Sequence, residues 1–383
     1  MTLRTVWRHS LFLLAVVLLG VQGCSRDDAA GYINSGIALA KMGKHAEACE
    51  KFAKAVEIDP RDAIAYYNWG KALGEMGKHA EACEKYAKAL QLNPRSADAY
   101  NNWGLALCRL GRNADACEKC AAAVRLNPRF PEAYVNWGNA LDGLGRRAEA
   151  CEMYAKALDI NPRYAWAYRE WGIALRDLGK PSDACEKLAK AVELDPRDAR
   201  AYCTWGHVLH LMGKRAEACG KYAKAVEANP QEEEAYYNWG LALLELGRYA
   251  EACEKCAKAA EINPRNADAY FNWGNALGGM GKHPEACEKY AKAVEIDPRK
   301  AEAYGNWGVA LFGMGKHAEA CEKYAKVVGI DPRDAGAYFN WGLALAKMRK
   351  TAEAVEKLDK AAALDPGLKA PVDDLRRKLT GGK

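Results

Sequence analysis

The sequence predicts an all-α fold, a solenoid of ten helical hairpins that ends in a capping helix. Three observations predict it. From Ala29 onward the chain repeats with a step of 34 residues and without a gap, as residues 63–96 and 267–300 illustrate. Apolar residues recur at helical spacing within each copy, and glycine and proline separate the helical stretches. Self-similarity at such a step is typical of a solenoid, whose core forms only when neighbouring copies stack.

Each copy contains two helical segments. In the second copy, Tyr66, Trp69 and Leu73 lie on one face of the first segment. Gly77 ends this segment, because glycine adopts a left-handed conformation without strain. The second segment has a similar apolar face and stops before Pro94. The ten copies begin at residues 29, 63, 97, 131, 165, 199, 233, 267, 301 and 335.

A final amphipathic segment follows the repeats. Val372, Leu375 and Leu379 recur at helical spacing, so we expect a helix that covers the apolar face of the last copy. The predicted organisation is a signal peptide in residues 1–23, a short linker in 24–28, ten repeats in 29–369, and the capping helix and tail in 370–383.

The N-terminal residues resemble a bacterial export signal. Arg4 and Arg8 precede an apolar run, residues 10–23, that has the length of a signal-peptide core and is shorter than a membrane span needs. We therefore expect a signal peptide, with an uncleaved membrane anchor as an alternative.

Cys24 directly follows this run. Val21, Gly23 and Cys24 resemble the lipobox of bacterial lipoproteins, in which the cysteine is acylated, although Gln22 is unusual there. The resemblance implies that Cys24 is lipidated and anchors the chain to a membrane. Ser25 after the cysteine implies the periplasmic side of the outer membrane rather than the inner one. A plain cleaved signal, which would leave the protein periplasmic or secreted, is the alternative.

The repeated residues resemble the tetratricopeptide repeat, or TPR. All ten copies have glycine at position eight (Gly36 to Gly342), alanine at position twenty and proline at position thirty-two. Tryptophan replaces the usual leucine at position seven in nine copies, and Ser35 stands there in the first. The resemblance implies a right-handed superhelical solenoid whose concave groove is lined by positions 2, 5, 6, 9, 12 and 13 and binds proteins or peptides.

Asparagine is the commonest residue at groove position six. A side-chain amide both donates and accepts, so a ladder of amides can bind an extended peptide backbone. This resembles the asparagine ladder in the TPR region of O-GlcNAc transferases. The alternative interpretation is that asparagine is simply common at this position in TPRs. Aromatic residues accompany the ladder and suit peptide side chains. Asn34 stands at this position in the first copy. The predicted peptide-binding groove consists of Asn68, Asn102, Asn136, Asn238, Asn272, Asn306 and Asn340 with Tyr67, Tyr237, Phe271 and Phe339.

The fifth and sixth copies interrupt the ladder with Glu170 and Thr204. They place basic residues and histidines at groove positions, which we interpret as an anchor for an acidic group on a partner. Cys203, His207 and His210 also have the spacing of metal ligands on a helix. The surrounding arginines disfavour a cation, and no fourth ligand is visible. The predicted anion anchor is Arg169, Arg176, Arg200, His207 and His210.

The cysteines repeat with the copies. Nine stand at position twenty-one, and the spacing of about 8–10 Å between packed helices is too long for them to pair in series. We expect them to be small buried hydrophobic residues. Two further cysteines, Cys120 and Cys256, occupy position twenty-four, where other copies have Tyr or Phe, so we expect a packing role rather than a redox pair.

Charge and motifs exclude several classes of function. The net charge of +6 lies mostly at the chain ends, and residues 24–368 contain 49 basic and 48 acidic residues. A body so nearly neutral does not favour binding to nucleic acid. The sequence has no phosphate loop, Gly-x-Ser-x-Gly or His-Glu-x-x-His motif. We therefore expect no catalysis, no cofactor and no metal.

The predicted function is a non-catalytic scaffold of the cell envelope that binds proteins or extended peptide segments. Two alternatives remain. One is a lipoprotein that holds a peptidoglycan or glycan enzyme in place. The other is a metal- or redox-responsive protein that uses Cys203, His207 and His210, or the Cys-x-x-Cys pairs Cys117–Cys120 and Cys253–Cys256. For the ladder, we expect alanine at Asn272 and Asn306 to weaken binding of the partner without lowering the melting temperature.

Overall fold

The structure is a computed structural model that describes residues 28–381, and this range consists of α-helices, turns and one short 3₁₀-helix. The chain forms two compact units, one up to Leu194 and one from Asp195. The predicted signal segment and Cys24 lie outside the described residues. No helix within residues 28–381 is long and apolar enough to cross a membrane.

The first unit contains five helical hairpins, one for each of repeats 1 to 5. Within it, the second helix of each hairpin packs on the first helix of the next. The first helices are α1 (28–41), α3 (Ala63–Glu75), α5 (Ala97–Arg109), α7 (Pro131–Gly143) and α9 (Ala165–Asp177). The second helices are α2 (His45–Ile58), α4 (His79–Leu92), α6 (Asn113–Leu126), α8 (Arg147–Ile160) and α10 (Pro181–Leu194).

The second unit contains the hairpins of repeats 6 to 10. The first helices are α11 (Ala199–Leu211), α13 (Glu233–Glu245), α15 (Ala267–Gly279), α17 (Ala301–Gly313) and α19 (Ala335–Lys347). The second helices are α12 (Arg215–Ala228), α14 (Tyr249–Ile262), α16 (His283–Ile296), α18 (His317–Ile330) and α20 (Thr351–Leu364). A 3₁₀ turn, Pro366–Leu368, leads into α21 (Lys369–Thr380), which packs on α20 and buries Val372. The predicted all-α solenoid of stacked hairpins is confirmed.

Glycine ends the first helix of the hairpin in repeats 1 to 9, as predicted. Gly77 has φ +74°, and its N–H donates to the carbonyl of Gly74 at 3.0 Å. The N–H of Lys78 donates to the carbonyl of Leu73 at 2.9 Å, so two helix-end carbonyls gain partners. In the tenth repeat Arg349 takes this position with φ 60°, a conformation that is uncommon for a residue with a side chain.

The two helices of a hairpin touch at glycine eight and residue twenty-four. A Cβ atom on Gly138 would lie 2.5 Å from Cε1 of Tyr154, whose ring is almost completely buried. A Cβ on Gly104 would lie 2.4 Å from Sγ of Cys120. The same close approach therefore occurs whether residue twenty-four is large or small, and it requires glycine.

Within each unit, position-seven tryptophans join neighbouring hairpins. Trp69 packs in one cluster with Cys49 of the preceding repeat, and Lys85 of its own repeat lies 4.0 Å from the ring centroid. Eight tryptophans between residues 28 and 381 have a lysine Nζ over the ring in this way. Trp137 differs because its repeat has the buried Met153 in place of the lysine. Each cation–π contact stabilises the fold by about 0.5–2 kcal/mol, with the larger values for contacts shielded from water.

The position-twenty-one cysteines are less buried than predicted. Only Cys219 of the nine cysteines at position twenty-one is buried, and the other eight are half-buried. Cys49, for example, packs in one cluster with Trp69 of the next repeat. Burial raises the pKa of the Cys49 thiol, against a smaller lowering by Lys78. By contrast, Cys120 and Cys256 are completely buried in the hairpin core, as predicted.

The glycine contact predicts a pair of opposite stability changes. Gly138→Ala should destabilise the protein by about 1–3 kcal/mol, because the new methyl group overlaps a buried ring that cannot move away. Gly220 lies in the middle of α12 with nothing near its Cβ position. Gly220→Ala should therefore stabilise by about 0.5–1 kcal/mol through helix propensity alone. Urea unfolding followed by circular dichroism measures both, and equal effects would contradict the contact.

The thiols predict a contrast in reactivity within one helix. Cys253 is half-buried, whereas burial raises the pKa of Cys256, three residues later, to about 12. Because only the thiolate reacts, a raised pKa means less reactive thiol at neutral pH and a rate that rises as the pH approaches the pKa. Iodoacetamide should modify Cys253 in the folded protein and Cys256 only after unfolding, as mass spectrometry of peptides will detect. Equal rates in the native state would refute this burial.

Candidate functional site

The predicted groove residues lie on the first helices, and they differ in their exposure to solvent. Asn34 and Asn306 are exposed, whereas Asn136 and Asn272 are only 2% and 5% exposed. Asn68 is half-buried and donates to the carbonyl of Ile64 in its own helix at 2.9 Å. The amides therefore do not form a uniform open ladder.

A chain of hydrogen bonds accounts for the burial of Asn136 and Asn101 in the first unit. Asn136 Nδ2 donates to Asn101 Oδ1 at 2.8 Å, and Asn101 Nδ2 donates to Asn102 Oδ1 at 3.3 Å. Asn102 Nδ2 in turn donates to the hydroxyl of Tyr67 at 3.1 Å. Side-chain amides of repeats 3 and 4 thus connect neighbouring first helices. A ligand would have to replace these hydrogen bonds in order to bind the same amides.

The groove aromatics are also partly engaged in packing. Tyr67 lies against Tyr86, with ring centroids 6.2 Å apart, and Phe271 lies against Tyr290 at 6.1 Å. Burial raises the pKa of Tyr237, and Asn272 beside its hydroxyl partly offsets this rise. Tyr237 and Phe339 are half-buried.

Three equivalent pockets open along the groove between successive repeats. Each lies between position 17 and the position-24 ring of one repeat and position-six asparagine of the next. Their volumes are 250, 240 and 310 Å³. These three residues are His45, Phe52 and Asn68 in pocket A, His79, Tyr86 and Asn102 in pocket B, and His283, Tyr290 and Asn306 in pocket C.

Residue twelve is small in the repeats that have these pockets. Ala40, Gly74 and Gly278 stand there in the repeats with pockets A, B and C. In repeat 9 the residue is Phe312, whose ring lies 5.0 Å from the ring of His317. In repeat 4 it is Asp142, which pairs with Arg147.

Charged side chains in repeats 4 and 5 neutralise each other. Burial raises the pKa of Asp142, while Arg147, 3.4 Å away, opposes the rise. Arg169 Nη2 lies 2.9 Å from Glu170 Oε1, which also accepts from the Trp166 indole at 2.8 Å. These side chains therefore form a polar core in the groove rather than a cationic surface.

Several residues of the predicted anion anchor contact carboxylates. Arg169 pairs with Glu170, and Arg176 Nε lies 2.7 Å from Asp177 Oδ1. In the second unit, His210 Nε2 lies 3.0 Å from Glu245 Oε2, and Arg215 binds the same carboxylate. Burial alone would raise the pKa of Glu245, but hydrogen bonds from Arg215 and His210 lower it overall. Three of the five predicted anchor residues thus already have an anionic partner.

The remaining anchor residues lie in the second unit. Arg200 is exposed on α11, and His207 is half-buried on the same helix. Cys203, one turn before His207, is buried at 3% exposure. No group of three or more His, Cys, Asp or Glu residues within residues 28–381 is placed to hold a metal ion.

The predicted groove residues do not include position seventeen. Histidines there line all three pockets, and Nδ1 of His45 and His283 is buried without a hydrogen-bond partner in the described part of the chain. The available signal was a combination: a small residue at position 12, histidine at 17 and an aromatic residue at 24. None of these is conspicuous alone, since each matches a common packing residue.

The asparagines predict different costs for the same substitution. Asn136→Ala removes a buried amide and leaves Asn101 Oδ1 without its donor, so it should destabilise by about 1 kcal/mol. Asn306 is exposed, so Asn306→Ala should change stability by less than about 0.5 kcal/mol. Urea unfolding of both variants tests this, and a larger loss for Asn306→Ala would contradict the hydrogen-bond chain. Asn272 is buried like Asn136, so its replacement should also lower stability, unlike the sequence-based expectation.

Known proteins share this architecture. A family model described as "TPR repeat" matches residues 36–77, 70–111, 240–281 and 279–315, and models described as "Tetratricopeptide repeat" match residues 131–164, 301–334 and 335–368. No curated protein matches the chain. Among solved structures, YrrB, "a TPR protein with an unusual peptide-binding site", is 28% identical with a TM-score of 0.45, over 50% of this chain and 99% of its own.

Two further structures are similar. MamA is 30% identical with a TM-score of 0.41, over 45% of this chain and 94% of its own. PilF of Pseudomonas aeruginosa is 23% identical with a TM-score of 0.47, over 56% of this chain and 96% of its own. The family models together cover more than half of the residues, and they coincide with the hairpins of the fold. The chain therefore belongs to the tetratricopeptide repeat family.

Proposed function

We propose that the chain is a non-catalytic scaffold that binds an extended segment of a partner protein along its groove. The observation that carries the proposal is the recurrence of one pocket at the same register in different repeats. Pockets A and B do so in the first unit, and pocket C does so in the second.

The size of the pockets supports a peptide rather than a cofactor. Volumes of 240–310 Å³ lie at or below the lower end of about 300–1,000 Å³ that is usual for small-molecule sites. Each pocket combines an aromatic wall with an amide at its rim. A partner's side chain can enter such a pocket while the amide binds the adjacent peptide group.

We further propose that the scaffold acts in a protein assembly of the bacterial cell envelope. The support is the N-terminal sequence: Arg4 and Arg8, the apolar run of residues 10–23, and Cys24 in a lipobox-like setting. Lipidation of Cys24 would hold the groove close to a membrane.

A photo-crosslink at pocket C tests binding in the groove. Val309, 52% exposed, lines this pocket. Benzoylphenylalanine at Val309 in the full chain should form a covalent adduct with a partner protein in cells. Gly278→Leu should reduce the yield severalfold because it places in the pocket the residue that repeat 7 has there, Leu244. A Cβ on Gly278 would meet only the Tyr290 hydroxyl, at 3.5 Å, so the variant should fold.

Gly329→Leu is the matched control. Gly329 lies in α18 and has nothing within 4 Å of its Cβ position, so this variant should keep the full yield of adduct. Absence of any protein adduct at Val309, or equal yields from the Gly278 and Gly329 variants, would remove the proposed function.

A further inference from the structure

We infer that pockets A and B together bind acidic side chains of the partner, an inference that rests on the proposed groove function. The two pockets are neighbours and form one depression. Lys71 and Glu75 line both of them, from the first helix of repeat 2. A ligand that enters one pocket therefore lies within reach of the charges of the other.

The depression is cationic. Lys41 and Lys71 line pocket A, and Lys71 and Arg109 line pocket B, against the single carboxylate of Glu75. Three basic side chains and one acidic side chain leave a net charge of +2, without counting the histidines. In a partly enclosed groove such an excess attracts carboxylates more strongly than it does on open surface.

These basic groups are available to a ligand. None of Lys41, Lys71 and Arg109 forms an ion pair within 4.0 Å with another residue of the range 28–381. Arg169 and Arg176 in the same unit differ, because each binds a carboxylate next to it in sequence. The position for an acidic group is thus in repeats 1 to 3, not in the interrupted repeats where the sequence placed it.

Pocket C lacks the charged side chains that line pockets A and B in the first unit. Its lining has the same histidine, aromatic ring and asparagine but contains no Lys, Arg, Asp or Glu. Two sites of one shape thus differ in charge. The shape serves peptide binding in general, and the cations in pockets A and B select the acidic side chain.

The form of the pockets favours glutamate. Ile37 and Phe52 in pocket A, and Leu105 and Tyr86 in pocket B, provide apolar surface beneath the charged rim. A side chain with a methylene stem and a terminal carboxylate can place its stem against the apolar surface and its carboxylate against the basic side chains. Neighbouring first helices lie about 10 Å apart, and an extended chain rises about 3.3 Å per residue, so the two acidic residues should be about three residues apart.

Fluorescence anisotropy with designed peptides tests the inference on the full chain. The probe is a short fluorescein-labelled peptide, amidated at its C-terminus, with two glutamates three residues apart in a neutral background. It should bind about tenfold more tightly than the same peptide with glutamine. Lys71→Gln with Arg109→Gln should remove most of this preference, and added salt should weaken binding of the glutamate peptide.

Lys347→Gln is the matched control, because Lys347 is an exposed lysine at groove position thirteen of repeat 10. It should leave the preference unchanged. Equal affinities for the two peptides, no binding of either, or equal losses in the control and the double variant would overturn the inference. So would tight binding only of a glutamine peptide with a free C-terminal carboxylate. The Val309 crosslink decides the proposed function independently, since pocket C contains none of the substituted residues.

Discussion

The contact between glycine eight and residue twenty-four determines how the two helices of every hairpin meet. Gly70 and Gly274 would each bring a Cβ within 2.8 Å of a tyrosine ring, Tyr86 and Tyr290. This close approach lets the tyrosine pass between the helices and reach the groove, where the Tyr290 hydroxyl donates to Asn275 Oδ1 at 3.0 Å. The same ring that fills the hairpin core is therefore the wall of a groove pocket, so core packing and binding surface have a common origin.

The junctions between hairpins depend on a separate set of residues. Lysine, tryptophan and cysteine of adjacent repeats form the contact, as in Lys85, Trp69 and Cys49. None of the three lines pocket A, B or C. In repeat 4 the junction forms with Met153 in place of the lysine, so an apolar side chain can also pack against the tryptophan. Because the tryptophan junction does not use groove positions 9, 12 and 13, residues there can vary without disturbing it.

Sequence predicts this fold well because its signals are local. Gly77 and Pro94 end helices through their own backbone restrictions, and the period of 34 residues repeats the glycine in nine copies and the proline in ten. The groove is harder to predict, since the state of an amide depends on other repeats. Asn136 is buried because Asn101, in the preceding repeat, accepts its N–H. Arg169 and Arg176 were adjacent to Glu170 and Asp177 in sequence, but only geometry shows that these neighbours pair.

Chemical differences between pockets of one shape indicate how such a repeat acquires specificity. Residue twelve varies in size, as Gly278 and Phe312 do in adjacent repeats of the second unit. Residues nine and thirteen then set its charge, as Lys71 and Arg109 do in the first unit. Neither change touches the glycine contact or the tryptophan junction. A few substitutions can therefore alter what a groove selects while the free energy of folding, which comes mainly from the stacked hairpins, stays nearly the same.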